Sequence, residues 1–158
     1  MTLSQQLHDL CIEKNISISV AESCTTGGLS SKIASVAGAS NFFKGGIIAY
    51  QNKIKIGVLG VSESIIKENT EVCAEVVEQM SLAVRNRFSS DFSIATSGYA
   101  GPTGGTELHP IGTVFIAISS KYGTVSRRFF FQGERSSVIS QATVAGIQFL
   151  LEELKNQL

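Results

Sequence analysis

The sequence predicts a single α/β domain: a layered α/β/α arrangement with a mixed sheet, a C-terminal hairpin and a long closing helix. Three observations predict it. Short apolar runs that read as buried strands alternate with segments of helical spacing through the first two thirds of the chain, the pattern of strands covered by helices. Two strand-like runs then follow one another across a tight turn, which places an antiparallel pair beside the earlier strands. No linker-like stretch, internal repeat or low-complexity tract divides the 158 residues, a length that suits one domain, so 1–158 is read as one unit.

Each element has its own signal. Ser4 to Lys14 places Leu7, Leu10 and Cys11 at i, i+3, i+4, a helix. Ser17 to Ala21 reads as a buried strand and runs into the small-residue turn ESCTTGG. Gly28 to Val36 sets Leu29, Ile33 and Val36 on one helical face. Gly45 to Tyr50 is a strand opened by a glycine pair, Asn52 to Leu59 a short helical or turn segment, and Ser62 to Glu68 a capped helix. Cys73 to Phe88 is amphipathic, with Val76, Val77, Met80, Ala83, Val84 and Phe88 inward. Asp91 to Ser97 is a strand leading into a glycine-rich loop. Ile111 to Ser119 and Thr124 to Phe131 form the hairpin around Lys121-Tyr122-Gly123. Ser136 to Leu158 closes the chain as a helix, with Val138, Ala142, Ala145, Phe149 and Leu150 at helical spacing.

Composition narrows the function classes. Thirteen basic residues balance thirteen acidic ones, so bulk electrostatics draws the chain neither to nucleic acid nor to an anionic membrane. No apolar run approaches the roughly 20 residues of a membrane span, and Met1 to Asn15 carries Asp9 and Glu13 rather than a signal-peptide core; the expected setting is cytoplasmic. Charged residues are 16% of the chain against about 25% in ordinary soluble domains, which points to apolar surface buried in a homodimer or larger homo-oligomer. Three cysteines without a CxxC argue against a disulfide framework or a zinc ribbon. Two histidines, His8 and His109, are too few for a multi-imidazole metal site. His8 reads as a surface or boundary residue; His109, in a Gly/Pro-rich loop, carries a little more weight for function.

Three segments concentrate small polar residues at strand ends, where open α/β sheets bind ligands. In the first, Ser23, Cys24, Thr25, Thr26 and Gly27 lie where a strand gives way to a helix. Free N–H groups there can hold an anion or an oxyanion, and helix capping by Ser23, Thr25 or Thr26 is the plainer alternative. In the second, Tyr50, Asn52 and Lys55 follow a strand. With histidine scarce, a lysine or tyrosine of lowered pKa is the available base for a serine; a solvated surface lysine is the alternative. In the third, Ser97, Gly98, Ala100, Gly101, Gly104 and Gly105 belong to a loop that fits either a tight connection or an anion cradle. It is neither a Walker A loop nor a Rossmann fingerprint. Arg127 and Arg128 point to opposite faces of their strand, so at most one serves a given site. Arg135 opens the last helix against its dipole, which hints at a ligand or partner role.

These segments, in this order, resemble the CinA C-terminal-domain family, the nicotinamide mononucleotide deamidases. Ala21-Glu22-Ser23-Cys24-Thr25 is similar to the family's AESCT opening, and Gly38-Ala39-Ser40 with Phe43-Lys44-Gly45-Gly46 to its GAS…F-x-G-G run. Tyr50-x-Asn52-x-x-Lys55 with Leu59-Gly60-Val61 is similar to Y-x-N-x-x-K…LGV, Ser97 to Pro102 with Gly104-Gly105 to SGIAGPxGG, and Pro110 to Val114 to P-V-G-T-V. The resemblance runs from about Leu3 to Leu154. It implies hydrolysis of the carboxamide of nicotinamide mononucleotide to nicotinate mononucleotide and ammonia, with Ser23 as nucleophile assisted by Tyr50 and Lys55. It implies no metal and no cofactor, a pyridine mononucleotide as small-molecule partner, and the stand-alone form of a domain often joined to a molybdopterin-binding-like one. Cys24, Thr25, Thr26, Gly27, Asn52, Ser97, Gly98, Ala100, Gly101, Gly104, Gly105 and Arg135 are the expected substrate contacts. The chain departs from the family pattern at Thr26, Cys73, Thr103, His109 and Ile139, standing where glycine, serine, an acidic residue, lysine and arginine are usual. Thr103, His109 and Ile139 bear on phosphate binding. Cys24 is a rival nucleophile. A non-catalytic nucleotide-binding module of the same fold, or an amidase for another phosphorylated amide, are the alternative functions.

Overall fold

The structure, a computed structural model, describes Met1–Leu158. Five strands form one mixed sheet in the order β2-β1-β3-β4-β5. β1 (Ile18–Glu22) is parallel to both β2 (Phe43–Ile48) and β3 (Phe92–Gly98). β4 (Thr113–Ser120) and β5 (Gly123–Phe130) add antiparallel at the far side. The expected hairpin is present, with its loop cut to Lys121-Tyr122 because Gly123, at φ +126°, already opens β5.

Alternation along the strands builds two cores. Ile18 and Val20 of β1, Phe92 and Ile94 of β3, and Val114, Ile116 and Ile118 of β4 face one side. There they meet α1 (Leu3–Lys14), α2 (Gly28–Ile33) and the long α6 (Arg135–Gln157), through Leu7, Leu29, Ile33, Val138 and Leu150. The intervening residues of the same strands are mostly small, Ser19, Ala21, Ser93, Ala95 and Ala117, with Phe115 of β4 the large exception, packed with Val72 and Val77. The small ones let α5 (Ala74–Phe88) settle closely on the opposite face, with Val76, Met80 and Val84 inward and Ser81 Oγ 3.0 Å from Ser93 Oγ. α3 (Asn52–Leu59) and α4 (Glu63–Asn69) complete that layer.

Several boundaries move from the expected ones. β2 starts at Phe43, not Gly45, and stops at Ile48. Gly45 at φ +134° absorbs a register shift against Ile18 and Ser19, so pairing extends upstream and Tyr50 is left in a loop. α2 ends at Ile33, and Val36 falls in a turn. Cys73 and Ser62 are N-caps rather than first helical residues. Ala83, Phe88 and Ala145 pack at the core margins rather than within it. Gly46 is held to glycine by close approach: a Cβ there would lie 2.3 Å from Val20 Cγ2 and 2.9 Å from the Val20 carbonyl oxygen.

Chain path positions the site. β1 leads into α2 on one face, and β2 leads into α3 on the other. The loops therefore part at the carboxyl ends of the neighbouring strands β1 and β2, the crevice where open α/β sheets bind ligands.

Candidate active site

The turn after β1 is organised by Glu22, to which the sequence pattern assigns no role. Glu22 is fully buried. Its carboxylate accepts from Thr25 Oγ1 (2.7 Å), the Leu29 N–H (2.8 Å), the Ser30 N–H (3.0 Å) and Ser30 Oγ (2.6 Å). Glu22 thus occupies the anion position at the start of α2. None of Ser23, Thr25 and Thr26 caps the helix; Gly27 is the N-cap and makes no side-chain bond. The first-turn N–H groups of Leu29 and Ser30 are consumed, but those of Cys24 and Thr25 donate to no acceptor within the chain. They remain available beside Ser23, the donor arrangement an oxyanion needs. Thr26 takes φ +49°, a left-handed conformation that strains a β-branched residue and explains why glycine is usual there.

Ser23, Cys24, Tyr50, Lys55 and Arg135 meet around one cavity of about 260 Å³, with Gly98, Ala100, Gly101 and Gly104 completing the wall. Lys55 is fully buried, and its Nζ donates to the Tyr50 carbonyl at 2.8 Å. Burial lowers its pKa from 10.5, opposed by the charge of Glu71 and then by Cys24. The solvated surface lysine is thereby excluded. Of Tyr50, the carbonyl accepts from Lys55, while the hydroxyl accepts from Arg135 Nη2 at 2.9 Å. Arg135 also donates through Nη1 to the Gly101 carbonyl at 2.8 Å. Both acceptors are neutral, so the guanidinium lines the cavity without an ion-pair partner. That reach resolves why an arginine opens α6 against its dipole.

Cys24 lines the cavity beside Ser23, but its environment does not favour a thiolate. Its thiol is buried and pushed up to about 12, chiefly by desolvation, so it is not a thiolate at neutral pH. Thr25, Thr26, Gly27, Asn52, Ser97 and Gly105 do not line the cavity. Thr25 supports Glu22, Asn52 begins α3, and Ser97 donates to the Glu71 carbonyl at 2.8 Å. Gly105, at φ +82°, packs against Ile111. Of the three departures bearing on phosphate, only Thr103 lines the cavity. Ile139 packs against the core, and His109 stacks edge-on to Phe115 beside Arg128. His8 pairs with Asp9 on the surface. Arg127 lies over the Phe149 ring and pairs with Glu152. Neither histidine nor either strand arginine lines the Ser23 cavity.

Glu71 and Tyr99 line it unforeseen. Tyr99 lies inside a loop whose glycines carry a backbone signal and mark no side chain; Glu71 lies in an irregular turn that has no periodic signal. A larger cleft of about 390 Å³ between Glu68 and His109 offers no activated nucleophile. Burial raises the pKa of its Cys73, which donates to the Thr70 carbonyl.

The model of the CinA C-terminal domain matches residues 1–154. The chain belongs to the CinA C-terminal domain family. A CinA-like protein of Flavobacterium psychrophilum is 42% identical over 156 residues, covering 98% of this chain and 37% of that protein. One from Rippkaea orientalis is 37% identical, covering 97% and 38%. The chain thus spans well under half the length of these curated relatives. Among solved structures, the competence or damage-inducible protein of Enterobacter asburiae superposes with a TM-score of 0.92 at 30% identity over 96% of both chains. The competence damage-inducible protein A of Klebsiella pneumoniae superposes at 0.95 and 29% identity, over 99% of this chain and 97% of that one. This CinA-family domain therefore has the fold of a well-populated structural group.

Proposed function

We propose that this CinA-family domain is a cytoplasmic amidohydrolase that cleaves the carboxamide of nicotinamide mononucleotide, with Ser23 as nucleophile. One observation carries the reading. A serine, a buried lysine of lowered pKa, the unengaged Cys24 N–H and an unpaired arginine share one cavity at the carboxyl ends of the strands, and the unengaged Thr25 N–H follows directly on Cys24. That set supplies a nucleophile, a base, an oxyanion site and an anion anchor without imidazole.

Ser23 Oγ attacks the carboxamide carbon and neutral Lys55 takes its proton directly. The N–H groups of Cys24 and Thr25 hold the resulting oxyanion, a stabilisation of roughly 3–4 kcal/mol if both donors align. The Lys55 ammonium returns the proton to nitrogen as the C–N bond breaks, releasing ammonia and leaving an acyl ester on Ser23. Water, deprotonated by Lys55, then cleaves the ester and regenerates the serine with nicotinate mononucleotide. In this structure Ser23 Oγ and Lys55 Nζ are not hydrogen-bonded to each other, and substrate binding would close that contact. Arg135, held by Tyr50 and Gly101, takes the 5′-phosphate.

The test compares nicotinamide mononucleotide, nicotinamide riboside and nicotinamide as ammonia donors. Turnover of the mononucleotide, with a loss of about tenfold or more in kcat/KM on removing the phosphate, is the expected result. Equal turnover of all three contradicts the anchor. A serine-reactive fluorophosphonate should label Ser23; a binding module of the same fold would stay unlabelled and release no ammonia.

A further inference from the structure

Lys55, Arg135 and Glu71 all line the cavity. Glu71 has no assigned work in the reaction above. Its carboxylate forms no ion pair with Lys55 or Arg135, whose nitrogens donate to neutral oxygens instead. Backbone geometry holds it at the cavity. Thr70, immediately before it, takes φ +65° and ψ 175°, a conformation that a β-branched residue adopts only under constraint. Thr70 Oγ1 accepts from the Tyr99 hydroxyl at 2.9 Å, and Ser97 Oγ donates to the Glu71 carbonyl at 2.8 Å. Two residues at the end of β3 thus hold a strained turn in place and set an unpaired carboxylate into the pocket.

A ligand that enters beside Glu71 strips water from it. An uncharged group leaves a desolvated, unpaired carboxylate, whereas a cation compensates it. Tyr50 and Tyr99 line the same cavity and supply π-systems that also favour positive charge. Resting on the amidase reading, we propose that Glu71 is a specificity-determining residue: it selects a carboxamide carried on a cationic, quaternised heteroaromatic ring over the same carboxamide on an uncharged ring. The discrimination comes as much from the cost imposed on the wrong ligand as from attraction to the right one. A cationic ring would also offset the influence by which Glu71 favours a protonated Lys55, so the selected substrate helps free the base.

The test is binding calorimetry on the Ser23→Ala protein, which holds substrate without turnover. The two probes are nicotinamide mononucleotide, with a pyridinium ring, and its 1,4-dihydro form, with the same phosphate, ribose and carboxamide on an uncharged ring. The pyridinium form should bind at least about tenfold tighter. Adding Glu71→Gln should weaken it to within about twofold of the dihydro form, whose own affinity stays level or improves. Equal affinity of the two rings in the Ser23→Ala protein overturns the proposal without any Glu71 variant, so the test survives a Glu71→Gln protein that fails to fold. A preference that persists in a folded Glu71→Gln protein overturns it equally. If the pyridinium form binds without preference, this proposal alone falls; if neither probe binds at millimolar concentration, the amidase reading falls and takes this proposal with it.

Discussion

Lys55 sits fully buried with the Tyr50 carbonyl as its acceptor, and its titration links stability to activity. Desolvation lowers its folded pKa, while the unfolded chain keeps a value near 10.4. Between those values the unfolded state holds a proton that the folded state lacks, so this group's contribution to stability rises with pH across that window. Its penalty is full below the folded pKa. Lys55→Met should therefore be more stable than the parent at pH 7, by on the order of 1–2 kcal/mol in urea unfolding, and the gap should narrow at alkaline pH. The same variant should lose amidase turnover, and wild-type kcat/KM should rise with pH through the Lys55 titration. A parent at least as stable as Lys55→Met at pH 7 would contradict the burial argument. The three cysteines, all buried and shifted upward in pKa, should resist iodoacetamide at pH 7.5 in the folded protein and react fully in urea. Lys55 was legible as a candidate base from its spacing to Tyr50, but its burial was not, because no periodicity in a short α3 marks a lysine as inward.

The turn from β1 into α2 is the element on which the site depends. Glu22 satisfies four donors there, so Glu22→Ala should cost about 3–5 kcal/mol by leaving them without a buried partner. Thr26→Gly should relieve the left-handed strain and gain about 1 kcal/mol. Guanidinium unfolding of both variants checks this, and a loss of stability in Thr26→Gly would refute the strain argument. β1, α5 and the hairpin were legible because alternation and helical spacing record burial directly. The carboxylate at the end of β1 was not, since one side chain seven and eight residues ahead of the N–H groups that donate to it leaves no repeat. The start of β2 was displaced because the Gly45-Gly46 pair reads from sequence as the opening of the strand, whereas Gly45 serves here as a bulge within it.

At the scale of the whole molecule, strand order and charge carry different messages. The alternation of strands and helices implies parallel strands but not their order; the β2-β1-β3 order comes from the structure and directs attention to the carboxyl ends, where Ser23 and Lys55 line one cavity. The low charged fraction speaks to assembly instead. Ile48, Tyr50 and Phe130 are all more than half exposed on this chain, and light scattering at micromolar concentration should return a dimer or larger; a monomeric mass would remove that expectation. The central claim is the chemistry at Ser23, and ammonia release from nicotinamide mononucleotide by the wild-type and Ser23→Ala proteins tests it most directly. The account predicts release by the wild type and a fall of at least about a thousandfold in the variant; equal release by both, or by neither, would contradict it.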